Sequence, residues 1–411
     1  MTRVVGVADT DSYVKWGAAL LGAAPDGWDV SLLVLDTPLS VSASQLESAV
    51  AGSGFDAPAV RRVSFGEFEA VLQQHPPDAV LLAARGPLVR VLARSVVRVA
   101  PQAVIVSGLP GISIPATRKA LRFRERADLF VVHSHREVRD FARVAALDGL
   151  HPHLALATLP FARRAERVAD AQSRGDLVFA AQAKVPSERA DRLTVARLLI
   201  AAARASPEHR VVLKLRGEHG EHQTHAESDP YPQLLAEIGD RPANLVTSTQ
   251  PMSLALDRAD GLVTISSTAA IEAIARGIPV IALDTFGVSD ELINPVFEES
   301  GLLGSAGDVI ARRFRHPEPS WVRDNYLHDR ADDDWAEHLD ALVTRRRAGM
   351  LSPRSERRRT GGRLRDAWDR KVVLGPMDRS VSGAFALVIG MPLRAATRGV
   401  QRLRRGLAPA A

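Results

Sequence analysis

Three short clusters in this 411-residue chain combine residue types and spacings that could do chemistry. The first is Ser266-Ser267-Thr268, with Glu272 four positions beyond Thr268. Hydroxyls ahead of the apolar run Ala269–Arg276 make good N-caps, and a helix N-terminus with outward N–H groups suits an anion, most naturally a phosphate or diphosphate. Glu272 lies one position past the site from which a capping-box carboxylate reaches back, on the face of Thr268. It is therefore placed to accept hydrogen bonds from ribose or sugar hydroxyls; the alternative is plain capping with Glu272 as a solvated charge. The second cluster is Asp9 and Asp11 in the turn Ala8-Asp9-Thr10-Asp11-Ser12. A carboxylate there can orient or deprotonate an acceptor hydroxyl. Asp11 is preferred because it lies beyond the strand's last residue, and an Asx turn or helix cap at Asp11 or Ser12 competes. The third is His133-Ser134-His135. Either imidazole could act as acid–base group or touch a phosphorylated ligand, or simply satisfy a loop. Two histidines at i and i+2 without a third ligand do not make a metal site.

Elements must position these groups. Leu262–Ile265 reads as a buried strand, Ala269–Arg276 as a helix stopped by Gly277 and Pro279, and Pro279–Leu283 as a second strand. That is a βαβ unit with a right-handed crossover in a parallel sheet. In the first half, strands are expected at Arg3–Ala8, Val30–Leu35, Ala79–Ala83, Ala103–Val106 and Leu129–Val132. Helices are expected at Tyr13–Ala23, Leu88–Val99 and Ala116–Arg126. The first turn lacks G-x-G-x-x-G, which argues against NAD or FAD, and its two carboxylates would repel a phosphate. Gly108–Pro115 (GLPGISIP) is a loop at a strand's carboxyl end, where open α/β sheets bind ligands. After a charged connection, Leu159–Asp176, the second half opens with strand Leu177–Ala181, loop Gln182–Ser187 and helix Ala190–Ala205. Strand Arg210–Leu215 then ends in Lys214-Leu215-Arg216. Of Lys214 and Arg216, one is expected to reach a ligand. Arg216, nearer the loop, would grip a phosphate bidentately; ordinary surface charges are the competing reading. Gly220–Asp229 is a polar loop, and helices are expected at Tyr231–Ile238, Asn294–Gly301 and Trp321–Arg345.

The run Ser266-Ser267-Thr268-x-x-x-Glu272-Ala273, followed by Arg276-Gly277-Ile278-Pro279-Val280-Ile281, resembles the donor-binding βαβ of GT-B glycosyltransferases. Among these it is most similar to capsule-type polysaccharide transferases of bacteria and their glycerophosphotransferase relatives. With Gly108–Pro115 and Ala127–Ser134 it is also similar to an actinobacterial family of glycosyltransferases of unassigned substrate. The resemblance implies an α/β protein of two Rossmann-like domains facing across a cleft: an acceptor-side domain at 1–165 and a donor-binding domain at 166–340. A basic, partly amphipathic tail follows at 341–411. It implies that the hydroxyl turn holds donor phosphate, that Glu272 holds donor hydroxyls, and that the loop carrying Lys184 opens the donor domain beside the phosphates. Lys214 stands where these relatives have a Lys before His-Pro, but Arg216-Gly217 replaces the His-Pro, which leaves the donor open. The implied activity is metal-independent transfer of a sugar or polyol phosphate from a nucleotide-activated donor to a cell-surface glycan or lipid-linked acceptor. No cofactor beyond the donor is expected. A nucleotide-sugar 2-epimerase and a non-catalytic nucleotide-sugar-binding protein would share the fold.

Composition narrows the setting. The absence of cysteine excludes disulfides and thiolate metal sites, and 46% hydrophobic residues are ample for two cores. The N-terminal stretch lacks the apolar core of a signal peptide, and no run approaches the roughly 18 apolar residues of a spanning helix. A cytoplasmic protein is expected. Of the charged residues from Arg345 to Arg405, 17 are Lys or Arg and 4 are Asp or Glu, so the net positive charge of the chain resides there. The apolar patch Val381–Leu393, flanked by Arg379, Arg394, Arg398, Arg402, Arg404 and Arg405, has the composition of a segment lying on an anionic membrane surface, here the inner face of the cell membrane. Disorder or packing against a domain is the competing reading. Nucleic acid is disfavoured, because the tail has few aromatics for stacking.

Overall fold

The computed structural model describes residues 1–162, 175–215, 229–351, 354 and 362–390. Seven strands form one sheet: β1 (Arg3–Ala8), β2 (Asp29–Leu35), β3 (Arg61–Val63), β4 (Ala79–Ala83), β5 (Val104–Gly108), β6 (Leu129–Val132) and β7 (Leu154–Leu156). Six form another: β8 (Asp176–Ala180), β9 (Val211–Lys214), β10 (Leu245–Ser248), β11 (Ala259–Thr264), β12 (Val280–Leu283) and β13 (Leu303–Gly304). Their orders are β3-β2-β1-β4-β5-β6-β7 and β10-β9-β8-β11-β12-β13. The neighbours β1 and β2 pair in parallel with Val4 opposite Val30, and β8 and β11 with Val178 opposite Leu262. Strands such as AVLLA and VIAL are buried along their whole length, as parallel strands covered on both faces must be.

Both sheets reverse their strand order at their first strand, β1 between β2 and β4 and β8 between β9 and β11. In open α/β sheets the carboxyl ends of the strands at such a switch point are where ligands bind. Asp9 follows β1, Gln182 follows β8 and Ser266 follows β11.

The chain divides into two compact units, residues 1–108, 119–130 and 339–411 in one, and 109–118 and 131–338 in the other. This differs from division at 165 and 340. The loop 109–118 belongs with the second unit, and so does the chain from Val131 onward. The C-terminal segment belongs with the first. Leu374, at the end of helix Gly362–Leu374, is fully buried in the core formed by Val5, Val7, Phe68, Leu82, Leu88 and Leu92. Arg94 pairs with Asp366 at 2.7 Å and Asp369 at 3.2 Å. Arg346 and Arg354 both hold Asp128, at 2.8 and 2.6 Å, and Arg347 holds Asp78 at 2.7 Å. Part of the tail's positive charge thus fastens it to the first unit.

Two expected helices are corrected. Trp321–Arg345 is broken into Pro319–Asp324 and Trp335–Arg347, because Asn325 leaves helical geometry (φ −106°, ψ −155°) and sends Tyr326 into the interior. Asn294–Gly301 is only a single 3₁₀ turn, Pro295–Phe297; Glu299 has φ +60°, which ends any helix there. Among the helices not anticipated, Ala43–Val50 and Phe65–Gln74 each carry a full capping box, at Ser42/Gln45 and Ser64/Glu67.

Candidate functional site

The turn after β11 is built from its own hydroxyls. Thr264 Oγ1 accepts from the Ser267 N–H at 3.1 Å and donates to the Ala180 carbonyl at 3.2 Å. Ser267 Oγ accepts from the Ala269 N–H at 3.2 Å. Ser266 is buried and its N–H donates to Gln182 Oε1 at 3.0 Å, while Gln182 Nε2 donates to Ser266 Oγ at 3.0 Å. Helix Ala269–Ala275 therefore begins at Thr268, but Thr268 makes no side-chain cap bond. The expectation of several outward N–H groups is corrected: those of Ser266, Ser267 and Ala269 are spent inside the turn. What remains for a ligand is chiefly the hydroxyl protons of Ser267 and Thr268, both partly exposed. A hydroxyl that accepts one bond is free to donate its proton outward.

Two loops close on this turn within the second unit. Gln182, in the loop after β8, makes the bonds to Ser266. The loop itself is held by Arg192, a guanidinium only 2% exposed on helix Arg189–Ala205. Arg192 donates to the carbonyls of Gln182 (3.1 Å), Pro186 (3.3 Å) and Asp229 (2.7 Å) and lies 4.2 Å over the Tyr231 ring. Such a buried cation is tolerable because carbonyl dipoles and an aromatic face replace its water. The second loop is Leu109–Arg118. At Gly111 a Cβ would sit 3.0 Å from the Thr268 methyl, so this glycine is what permits the loop's approach to the turn.

His133 and Glu137 hold that second loop. Both are fully buried. Glu137 Oε1 accepts from the Ser113 N–H at 2.8 Å and the Tyr326 hydroxyl at 2.5 Å, and Oε2 accepts from the His133 N–H at 2.7 Å. His133 Nδ1 faces the Ala157 carbonyl at 2.6 Å and Nε2 the Leu109 carbonyl at 2.8 Å. Burial outweighs these bonds in both cases, raising the Glu137 carboxyl to about 7 and lowering the His133 imidazole to about 4. The catalytic expectation for His133 is corrected on geometry: a ring with no exposed surface and a backbone carbonyl at each nitrogen ties loops together and does not meet an acceptor. His135 instead pairs with Asp332 at 3.1 Å. Glu137, Tyr326, Gln182 and Arg192 were not singled out in the sequence. Ser134-x-x-Glu137 did carry a signal, the capping-box spacing, and Ser134 Oγ accepts from the Glu137 N–H at 3.0 Å.

In the first unit the two acidic candidates part company. Asp9 has no exposed surface and pairs with Arg85, Nε to Oδ2 at 2.6 Å, with the Arg85 N–H at 3.2 Å. Burial raises its pKa, and Arg85 works against that. Asp9 is thus an internal anchor for helix Gly86–Val99, whose N-cap is Arg85. Asp11 opens helix Asp11–Leu21, with Thr10 as its N-cap, and stays partly exposed.

The remaining candidates lie around the second sheet. Lys184 is exposed. Lys214 is buried, its Nζ donating to the Leu215 carbonyl. Arg216 lies outside the described residues, as do most of the connection Leu159–Asp176 and of the loop Gly220–Asp229. Glu272 is largely buried and its Oε1 pairs with Arg276 at 3.2 Å, while Arg276 also holds Asp257 at 2.9 Å. Among the described residues no group of three or more His, Cys, Asp or Glu could hold a metal ion.

The family described as "Putative glycosyltransferase (DUF6716)" matches residues 4–342. The chain belongs to that family. No curated protein matches it. Solved structures of similar fold include a protein from Listeria monocytogenes described as a "putative UDP-N-acetylglucosamine 2-epimerase", 10% identical over 87% of this chain and 99% of that one, TM-score 0.54. The S. aureus MnaA–UDP co-structure is 13% identical over 87% of this chain and 100% of that one, TM-score 0.52. The Methanocaldococcus jannaschii UDP-GlcNAc 2-epimerase in complex with UDP-GlcNAc and UDP is 11% identical over 84% and 99%, TM-score 0.51. At these identities the likeness is one of fold, and the fold of this DUF6716 chain is the two-sheet α/β architecture of those enzymes.

Proposed function

We propose that the protein is a glycosyltransferase that takes a sugar, or a polyol phosphate, from a nucleoside-diphosphate donor. The carrying observation is the convergence at one switch point of the Ser267 and Thr268 hydroxyls, the Gln182–Ser266 tie and the close-packed Gly111. Family membership supports the transfer reaction, and the UDP and UDP-sugar named for the structural neighbours support UDP as the first donor nucleotide to test. In this reading the two hydroxyls and Lys184 meet the diphosphate and stabilise the charge that develops as it leaves. Glu272 takes donor hydroxyls through the oxygen that Arg276 does not hold. Lys214 shapes the strand end, and Arg216 is a further phosphate candidate. Asp11 activates the acceptor hydroxyl. No metal and no cofactor beyond the donor enter the scheme. The acceptor is a cell-surface glycan or lipid-linked saccharide, which places the protein in the cytoplasm at the membrane in envelope polysaccharide synthesis.

The test is a thermal-shift and calorimetric titration with UDP, UDP-sugars and uridine, followed by donor turnover with and without glycan acceptors in EDTA. A ligand that binds only the folded chain raises its stability. Stabilisation by UDP but not uridine, with acceptor-dependent release of UDP, is expected. The fold shared with 2-epimerases favours one second reading, and conversion of donor without any acceptor would establish it in place of transfer.

A further inference from the structure

The helix Val381–Gly390 has its large and small residues on the unexpected sides. Gly383 and Ala386 are buried, and a Cβ at Gly390 would strike the Trp368 ring, so this helix packs through its smallest residues. Val381, Phe385 and Val388, at i, i+4 and i+7, share the opposite side and are 86%, 61% and 73% exposed. A helix docked only for its own stability would bury the phenylalanine and show the glycines. Polar bonds fix its position. Asp378, at the bend before it, is buried and takes Arg370 at 3.1 Å, while Lys371 donates to the Asp378 carbonyl at 2.7 Å. Helix Gly362–Leu374 is in turn fastened to the first unit through Leu374 and Arg94.

Charge identifies what meets this face. Arg379 immediately precedes the helix, and residues 391–411, which follow it directly, contain five arginines and no acidic residue. An apolar stripe beside a polybasic sequence is the pair of signals that together give stable but reversible binding to an anionic bilayer, where either alone is marginal. We infer that Val381, Phe385 and Val388 form a face that docks on an anionic lipid surface, inserting to the depth of the headgroup boundary without spanning. Among the described residues no single helix is long and apolar enough to cross a membrane. The inference extends the membrane-side placement proposed above but stands on the tail alone, so donor binding and lipid binding can fail separately.

The experiment is sedimentation of the full chain with phosphatidylcholine vesicles, with and without phosphatidylglycerol, while UDP stabilisation is followed in parallel. Phosphatidylglycerol is expected to tighten partitioning at least about tenfold, and salt should reverse it as the screening length falls from ~10 Å to ~3 Å between 0.1 and 1 M. The triple variant Val381→Ser, Phe385→Ser, Val388→Ser should lose about tenfold or more, with unchanged melting temperature, since the three side chains face solvent. The single variant Phe385→Ala should lose a smaller share in the same direction. Equal partitioning of wild type and variants, or indifference to phosphatidylglycerol, overturns the inference. So does a dimer that the triple variant dissolves without any change in vesicle binding, which would make the face a contact between two copies. Association that resists alkaline carbonate would make the segment an inserted one.

Discussion

The turns after β1 and after β11 both lie at the switch point of their sheet, β1 as the strand where the order reverses and β11 as the neighbour of β8, where it reverses in the other sheet, and both carry polar residues suited to catalysis. They have been used differently. After β1 the carboxylate of Asp9 turns inward, loses all exposure and is neutralised by Arg85, while Tyr13 is buried against Arg124 at 3.1 Å. After β11 Ser266 turns inward to Gln182, but Ser267 and Thr268 keep their hydroxyls at a partly exposed surface. The cost of burying a charge explains the contrast. A carboxylate placed in the interior must be paired, and pairing removes it from chemistry, whereas a hydroxyl satisfies one backbone N–H and still has a proton to offer.

The contrast can be broken most decisively at Asp9. Asp9→Ala leaves Arg85 without its partner, and about 3 kcal/mol of stability should be lost, the lower end for a broken buried pair because Arg85 can turn to water. Urea unfolding measures this, and UDP affinity should be unchanged; lost transfer at undiminished stability would restore Asp9 to catalysis. At the other turn the hydroxyls should separate by role. Ser267→Ala with Thr268→Ala is expected to weaken UDP at least about tenfold, since bonds to a charged phosphate are worth about 1.5–3 kcal/mol each, and to leave uridine unaffected. Ser266→Ala should lower the melting temperature and barely change affinity. Unaltered discrimination between UDP and uridine in the double variant would falsify the phosphate role of this turn.

A third prediction probes the buried pair that holds the Gly111 loop. Glu137 has a folded pKa of about 7, above its ordinary 4.5, so its contribution to stability is full below pH 4.5 and is lost as the pH rises through 7. His133, lowered from 6.5 to about 4, runs the other way, and its contribution is present above pH 6.5 and lost as the pH falls through 4. The two oppose each other between pH 4.5 and 6.5, and above pH 6.5 the remaining gain from His133 is smaller than the remaining loss from Glu137. Between pH 6.5 and 8 the wild type should lose about 1 kcal/mol from this group, and Glu137→Gln should flatten that slope whatever its absolute stability. Parallel curves for the two proteins would show that the carboxyl is ionised throughout. The smallest effect is expected at Glu272. Because Arg276 already holds one of its oxygens, Glu272→Ala should weaken a UDP-sugar roughly fivefold or less and leave UDP itself unchanged, by calorimetry.

The sequence by itself determined the two parallel sheets, the βαβ unit around Ser266–Thr268 and the sense in which the tail is basic, because apolar runs, helix stops and charge counts are local properties. Its strand ranges agree with the structure to within one or two residues at Arg3–Ala8, Ala79–Ala83, Leu129–Val132 and Val280–Leu283. Only the tertiary structure decided which polar residues face inward. Nothing near Asp9 in sequence announces Arg85, nothing near Ser266 announces Gln182, and Glu137 meets Ser113 and Tyr326 from 24 and 189 positions away. The tail shows the same division. Its charge was legible, yet the fastening of Arg346 and Arg354 to Asp128, and the turning outward of Val381, Phe385 and Val388, depend on which neighbours the fold supplies. Burial and pairing are long-range outcomes, and they alone separate a side chain that reacts from one that holds the structure in place.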